Sequence, residues 1–253
     1  MKIRIFGIVL SAMALFSSVS AQTRTDVYAV MNARIITVSG AAIERGTVVV
    51  RDGLIESVGA DVKVPADARV LDGAGLTIYP GFIDALTSLG IQTPARPQTP
   101  GQSQQQAQQP QSNSNYPNGL QPEKTAVEDL KGGDAQFETP RNAGFTTVLT
   151  VANTGIFNGQ SAIINLGGES VSAMVIKSPF AQHFSFRNLG ITYPASLLGT
   201  FSAFRQMILD AKRLQELQKQ YAANPRGMKR PEDDKSLEAL FPVINGTMPI
   251  VFN

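Results

Sequence analysis

At 253 residues, 43% hydrophobic and 17% charged, the chain has the apolar content for one large core or two small ones and is not globally disordered. Lys and Arg exceed Asp and Glu by 22 to 20, and even that excess vanishes if Lys2 and Arg4 are removed with a leader, so no electrostatic footprint for nucleic acid remains. With no cysteine and one histidine, disulfide frameworks, cysteine nucleophiles, cysteine zinc sites and multi-histidine metal cages built from this chain are excluded.

Lys2 and Arg4 precede an apolar run, Ile5 to Phe16, and the small-residue triplet Val19-Ser20-Ala21, which together have the form of an export signal. We expect residues 1–21 to be a signal peptide cleaved before Gln22, giving a periplasmic or secreted protein with no stable membrane anchor after cleavage. The rival, an uncleaved anchor, requires ~20 apolar residues, and this run is well short of that. An exported chain without cysteine is held by its core alone, which favours a large-core fold.

From Val27 to Thr77 short β-rich runs alternate with turn residues: Tyr28 to Val38, Gly46 to Arg51, Leu54 to Val58 and Arg69 to Asp72. Asp52-Gly53 is a hairpin signal, because both residues tolerate the positive φ of a type I′ turn. Residues 22–79 therefore read as a small antiparallel β unit. Gln92 to Pro122 is dominated by Gln, Pro, Ser and Asn, a composition that cannot bury enough apolar area to offset its ordering entropy, and is expected to be a disordered insertion. Strand-length apolar runs then resume at Phe145 to Val151, Ser161 to Leu166, Ser172 to Ile176 and Pro249 to Phe252. Before the last of these, Phe201, Phe204, Met207, Ile208, Ala211, Leu214, Leu217 and Tyr221 recur at three- and four-residue steps. They predict a helix capped by Thr200, ended by Asn224-Pro225 and followed by a charged loop to Lys235. Strands punctuated by a long helix suggest βα units and a parallel sheet.

The run Val70-Leu71-Asp72-Gly73-Ala74-Gly75-Leu76-Thr77-Ile78-Tyr79-Pro80-Gly81-Phe82-Ile83-Asp84 resembles the entry to the barrel in the amidohydrolase superfamily, notably its imidazolonepropionase-like members. Ala33-Arg34-Ile35-Ile36-Thr37 and Val50 to Gly59 are similar to the β segment that precedes it there, and Asn142 to Val148 is similar to the second barrel strand. The resemblance implies an α/β fold with a small β-sandwich part, residues 80–253 forming an incomplete TIM-type (β/α) barrel after the antiparallel β unit. It also implies a parent activity, hydrolysis of non-peptide C–N bonds in cyclic amides, that uses a divalent metal such as zinc at the carboxyl ends of the strands.

The family's His-x-His pair directly follows the Ile-Asp of the entry motif, so its positions fall here on Leu86 and Ser88, and a later strand-end histidine falls on Asn253. These ligand positions are vacant. Asp84 keeps its family position and His183 is the sole imidazole, but one imidazole and one carboxylate fall short of the three protein ligands of a catalytic zinc, so no cofactor is expected on this chain. Asp84 reads equally as a hydrogen-bonded strand-end residue, and His183 as a structural histidine. Lys177, after Ala173-Met174-Val175-Ile176, matches the carboxylated lysine of some members in residue type only. Gly155 to Ser161 lacks a nucleophile elbow and reads as a turn before a strand, and Gly167-Gly168-Glu169 lacks the spacing of a phosphate loop and reads as a turn between strands.

The stretch from Pro80 to Asn253 is well short of the ~250 residues of a closed eightfold barrel. The expectation is therefore a truncated hydrolase whose missing C-terminal half completes the barrel. The alternative is a non-catalytic pseudoenzyme or half-barrel that docks with a second, catalytic chain.

Overall fold

The computed structural model describes residues 26–92, 116, 119–133, 135–168, 170–187 and 193–253, which divide into two compact units at Pro80/Gly81. The expected signal peptide and most of the Gln/Pro-rich stretch lie outside the described residues.

In the first unit β1 (Val27–Ile35), β2 (Ile43–Arg51) and β3 (Leu54–Gly59) form an antiparallel meander. Asp52 and Gly53 take φ of 50° and 78°, the left-handed pair that a two-residue hairpin turn requires. The expectation of a purely antiparallel unit is corrected by β4 (Arg69–Asp72) and β5 (Thr77–Ile78), both of which pair with β1 in parallel. The cause is the link after β3, whose Val62, Val64 and Ala68 pack on Val27, Ala29 and Val49. This link crosses the sheet face to bury that cluster, and so delivers β4 to the far edge of β1 running in the direction of β1. The turn after β4 is locked by Asp72, whose Oδ1 accepts from Asn32 Nδ2 at 3.1 Å and from the Ala74 N–H at 3.2 Å. These donors hold its carboxyl below the usual range.

The second unit opens with β6 (Phe82–Thr87), which pairs in parallel with β7 (Phe145–Thr150). A Cβ at Gly81 would collide with the Thr146 side chain, so the glycine that enters β6 is required by close approach to β7. A short helix, α1 (Glu138–Asn142), leads into β7. Further along come β8 (Phe157–Gln160), β9 (Ala162–Asn165), α2 (Val171–Met174), β10 (Val175–Lys177) and β11 (Gln182–Phe184). After them stand the long α3 (Leu197–Ala223), the single turns α4 (Lys235–Glu238) and α5 (Phe241–Ile244), and β12 (Ile250–Phe252). The strands form two sheets, ordered β10-β9-β7-β6 and β12-β11-β8.

A wholly parallel arrangement is not what forms: β6–β7 and β11–β12 are parallel, whereas β7–β9, β9–β10 and β8–β11 are antiparallel. The short links between β7 and β10 leave no room for helical crossovers, and antiparallel neighbours need none. The expected strand Ser172 to Ile176 begins instead as α2, because the Ser170 side chain accepts from the Ala173 N–H and turns the buried Met174 into the core. Gly155 to Ser161, read as a turn before a strand, itself contains the short strand β8. At the end of the expected insertion, Leu120 is buried and bridges to Phe157, and the Gly119 carbonyl accepts from the Ile156 and Phe157 N–H groups.

The predicted helix is present and begins earlier, with Ser196 rather than Thr200 as its cap, the Ser196 side chain accepting from the Gly199 N–H. Met207 and Ala211 of the apolar stripe are buried, together with Thr200 and Ala203, against β8, β11 and α4 through Phe157, Phe184, Leu237 and Leu240. Phe184 is the hub of this cluster, its ring centroid 4.5 Å from that of Phe204, 5.2 Å from Phe157 and 5.8 Å from Phe252. A second core gathers Phe137, Val148, Ile164, Leu166 and Met174 around the four-stranded sheet.

Truncating a fully buried aromatic costs about 3–5 kcal/mol, so we expect Phe184→Ala to lower unfolding free energy by that amount. Phe201→Ala, at a ring 48% exposed, should cost less than about 1 kcal/mol by the same transfer argument. Chemical denaturation of the two variants checks the difference, and equal losses would contradict the assignment of the core.

Candidate functional site

The expected metal-site residues of the first strand fall on β6 and just beyond it. Asp84 is half-buried and its Oδ1 accepts from the Leu86 N–H at 3.1 Å, an Asx-type contact that closes the chain on itself. Leu86 is 47% exposed and Ser88, also exposed, offers its carbonyl to the Ile91 N–H. Lys177 ends β10 with its Nζ 5.5 Å from the centre of the Phe180 ring. These residues belong to the four-stranded sheet, whereas His183 and Asn253 belong to the other, so the expected candidates split into two groups.

β11 brings the second group together. Its register pairs Gln182, His183 and Phe184 with Ile250, Val251 and Phe252 of β12 in parallel, and with Gln160, Gly159 and Phe157 of β8 in antiparallel. Side chains alternate across a strand, so burying Phe184 in the apolar cluster turns His183 to the opposite face. Just past the strand Ser185 follows two residues after His183, and Asn253 stands at the end of β12. The Asn253 N–H donates to the Phe184 carbonyl at 2.9 Å and its own carbonyl accepts from the Phe186 N–H at 3.3 Å, which fixes the residue at the carboxyl end of both strands.

The result is a layered polar face. At its floor are His183, 0% exposed, and Ser185, whose Oγ donates to Asn158 Oδ1 at 2.6 Å while Asn158 Nδ2 donates to the Thr154 carbonyl at 3.0 Å. At its rim is the exposed Asn253; beyond the strand the Arg187 guanidinium donates to the Asn153 carbonyl and to Asn153 Oδ1 at 3.2 and 2.8 Å. Neither imidazole nitrogen completes a hydrogen bond, and the same holds for both polar atoms of the Gln182 amide. A buried polar group left without a partner costs about 1–3 kcal/mol, so this strand retains hydrogen-bonding capacity at a stability cost. Burial lowers the His183 pKa, and the Asn253 carboxamide beside it offsets part of that effect. Sequence reading reached His183 and Asn253 and missed Ser185, Arg187 and Asn158; the signal was the alternation in Gln182-His183-Phe184-Ser185-Phe186-Arg187.

These donors do not fit a catalytic divalent metal. Leu86 has no ligating atom, Ser88 and Asn253 offer neutral oxygens, and Asp84 spends an oxygen on its own turn, whereas zinc in a hydrolytic site takes about three imidazole, carboxylate or thiolate ligands. Among the described residues no three His, Asp or Glu side chains cluster where they could hold a metal ion.

No protein-family model matches the chain. A dihydroorotase of Anaeromyxobacter dehalogenans (strain 2CP-C) is 40% identical over 60 residues, 24% of this chain and 14% of that protein. The crystal structure of an amidohydrolase from Thermotoga maritima MSB8 is similar with a TM-score of 0.69 at 20% identity, over 89% of this chain and 57% of that one. The chain thus spans less than two thirds of either protein, and its fold is amidohydrolase-like.

A buried neutral histidine makes stability depend on pH. The unfolded chain protonates His183 near 6.5 whereas the fold resists protonation, so the unfolded state binds more protons below that pH. Its contribution is therefore complete above about 6.5 and is lost as pH falls through the window below it. We expect denaturation midpoints to hold level from pH 8 to 7 and to fall between 6.5 and 5, with His183→Gln removing that fall. An unchanged slope in the variant would contradict the assignment.

Proposed function

We propose that the chain is the N-terminal part of an exported, imidazolonepropionase-like amidohydrolase whose parent activity is hydrolysis of non-peptide C–N bonds in cyclic amides. The observation that carries this reading is the passage from a small β unit through Gly81 into the parallel β6–β7 pair, within a fold similar to the Thermotoga maritima amidohydrolase over 89% of this chain. The 60-residue likeness to a dihydroorotase supports the amidohydrolase-like reading. That this chain spans 57% of the solved amidohydrolase supports the view that further barrel strands, from the same or another chain, complete the active unit as an incomplete TIM-type barrel is closed.

On this reading the strand ends described here contribute binding surface rather than metal ligands, because Leu86, Ser88 and Asn253 stand at the ligand positions. That substitution also favours a second reading, a metal-free pseudoenzyme that docks with a catalytic partner.

Metal analysis and turnover test both. The purified chain should hold well under one equivalent of zinc, and the double variant Leu86→His, Ser88→His should leave it without metal-dependent hydrolysis of cyclic amides. Stoichiometric zinc with turnover in the unmodified chain would contradict the loss of ligands. Turnover gained by the double variant would contradict the need for further strands.

A further inference from the structure

We propose that the groove between α3, α5 and β12 receives an acidic amphipathic helix, the crossover helix of the parent protein's next βα unit. The inference, which rests on the reading that further barrel strands complete the active unit, states the chemistry that the adjoining unit carries.

β11 and β12 are parallel neighbours joined through α3, so the three make a βαβ crossover. β12 stands at the edge of its sheet, and an edge strand offers unpaired N–H and C=O groups to a further strand. Crossovers between parallel strands are right-handed, so a strand added in parallel to that edge is reached by a helix on the same face as α3. Beside β12 that face carries an apolar groove, formed by Phe204 and Ile208 of α3, Val243 and Ile244 of α5, and Ile250. Leu209 adds to its wall and is 49% exposed, so apolar area remains uncovered there.

The charges along the groove give the sign of its occupant. Arg205 and Lys212 line it, both exposed, and neither pairs with an acidic side chain among the described residues. The acids of α3, Asp210 and Glu216, accept instead from the Gln206 and Gln220 amides. Two turns of helix separate the two cations, about 10 Å along the axis. A neighbouring helix matches that spacing with two carboxylates seven residues apart, beside apolar side chains at three- and four-residue steps that fill the groove. A second copy of the chain fits poorly, because a two-fold pairing sets the same patch against itself and opposes cation to cation.

The full chain is titrated with a fluorescent synthetic peptide of about sixteen residues, long enough to be helical when bound, bearing Leu on one face and two Glu seven residues apart. A second peptide carries Lys in place of both Glu. Fluorescence anisotropy should show saturable binding of the Glu peptide and roughly tenfold weaker binding of the Lys peptide. The double variant Arg205→Glu, Lys212→Glu, altered at exposed positions, should reverse that order. Absence of saturable binding, equal affinities for the two peptides, or an order unchanged in the variant would overturn the proposal. A dimer dispersed by Leu209→Asp would also overturn it, since a second copy would then be the occupant. Cyclic-amide turnover by the unmodified chain is followed separately. Turnover together with Glu-peptide binding keeps the groove and contradicts the need for further strands, whereas loss of binding alone overturns the groove and leaves the proposed function in place.

Discussion

The second unit depends on the burial of Phe184. Its ring stands among those of Phe157, Phe204 and Phe252, and through them it ties β8, β11, α3 and β12 into one core. Because a strand turns successive side chains to opposite faces, that burial also dictates where His183 must go. The apolar cluster and the polar face are two consequences of one strand. The imidazole is held in place by the packing on the other side of its own backbone, and its lack of hydrogen-bond partners is the cost of that position.

The polar face is built on the parallel pair β11–β12 and on the antiparallel neighbour β8. What the chain supplies there is neutral. A metal-dependent hydrolase needs several charged or imidazole donors converging on one point, and at the positions the family resemblance implies for them stand an exposed leucine, a serine and a carboxamide. Fold and side chains therefore point in different directions: the fold is amidohydrolase-like, while the residues at the positions the resemblance implies for metal ligands offer no charged or imidazole donor.

Much of the architecture was legible in the sequence. Asp52-Gly53 marked its hairpin through the backbone conformation the two residues accept, and the apolar stripe from Phe204 to Leu214 marked the buried side of α3. The parallel placement of β4 was not legible, because it depends on Val62, Val64 and Ala68 finding a sheet face distant along the chain. The three-residue strand β11 went unread, whereas β12 was marked by its apolar run, and α2 was hidden because Ser170 caps a turn within an otherwise strand-like run. At the site, the residue types at 86, 88 and 253 could be read directly. The clustering of His183 with Ser185, Asn158 and Asn253 required the register of three strands.

Burial of Phe184 forces a neutral imidazole onto the opposite face of β11. The most direct test is a pH titration of the His183 imidazole nitrogens by NMR in the folded chain, read from their tautomer-dependent shifts. The account predicts that the ring remains neutral to a pH clearly below 6.5, the ordinary histidine value. A midpoint at or above 6.5 would contradict it, because it would mean that the ring is solvated or paired with an acid and that the polar face is not the neutral site described.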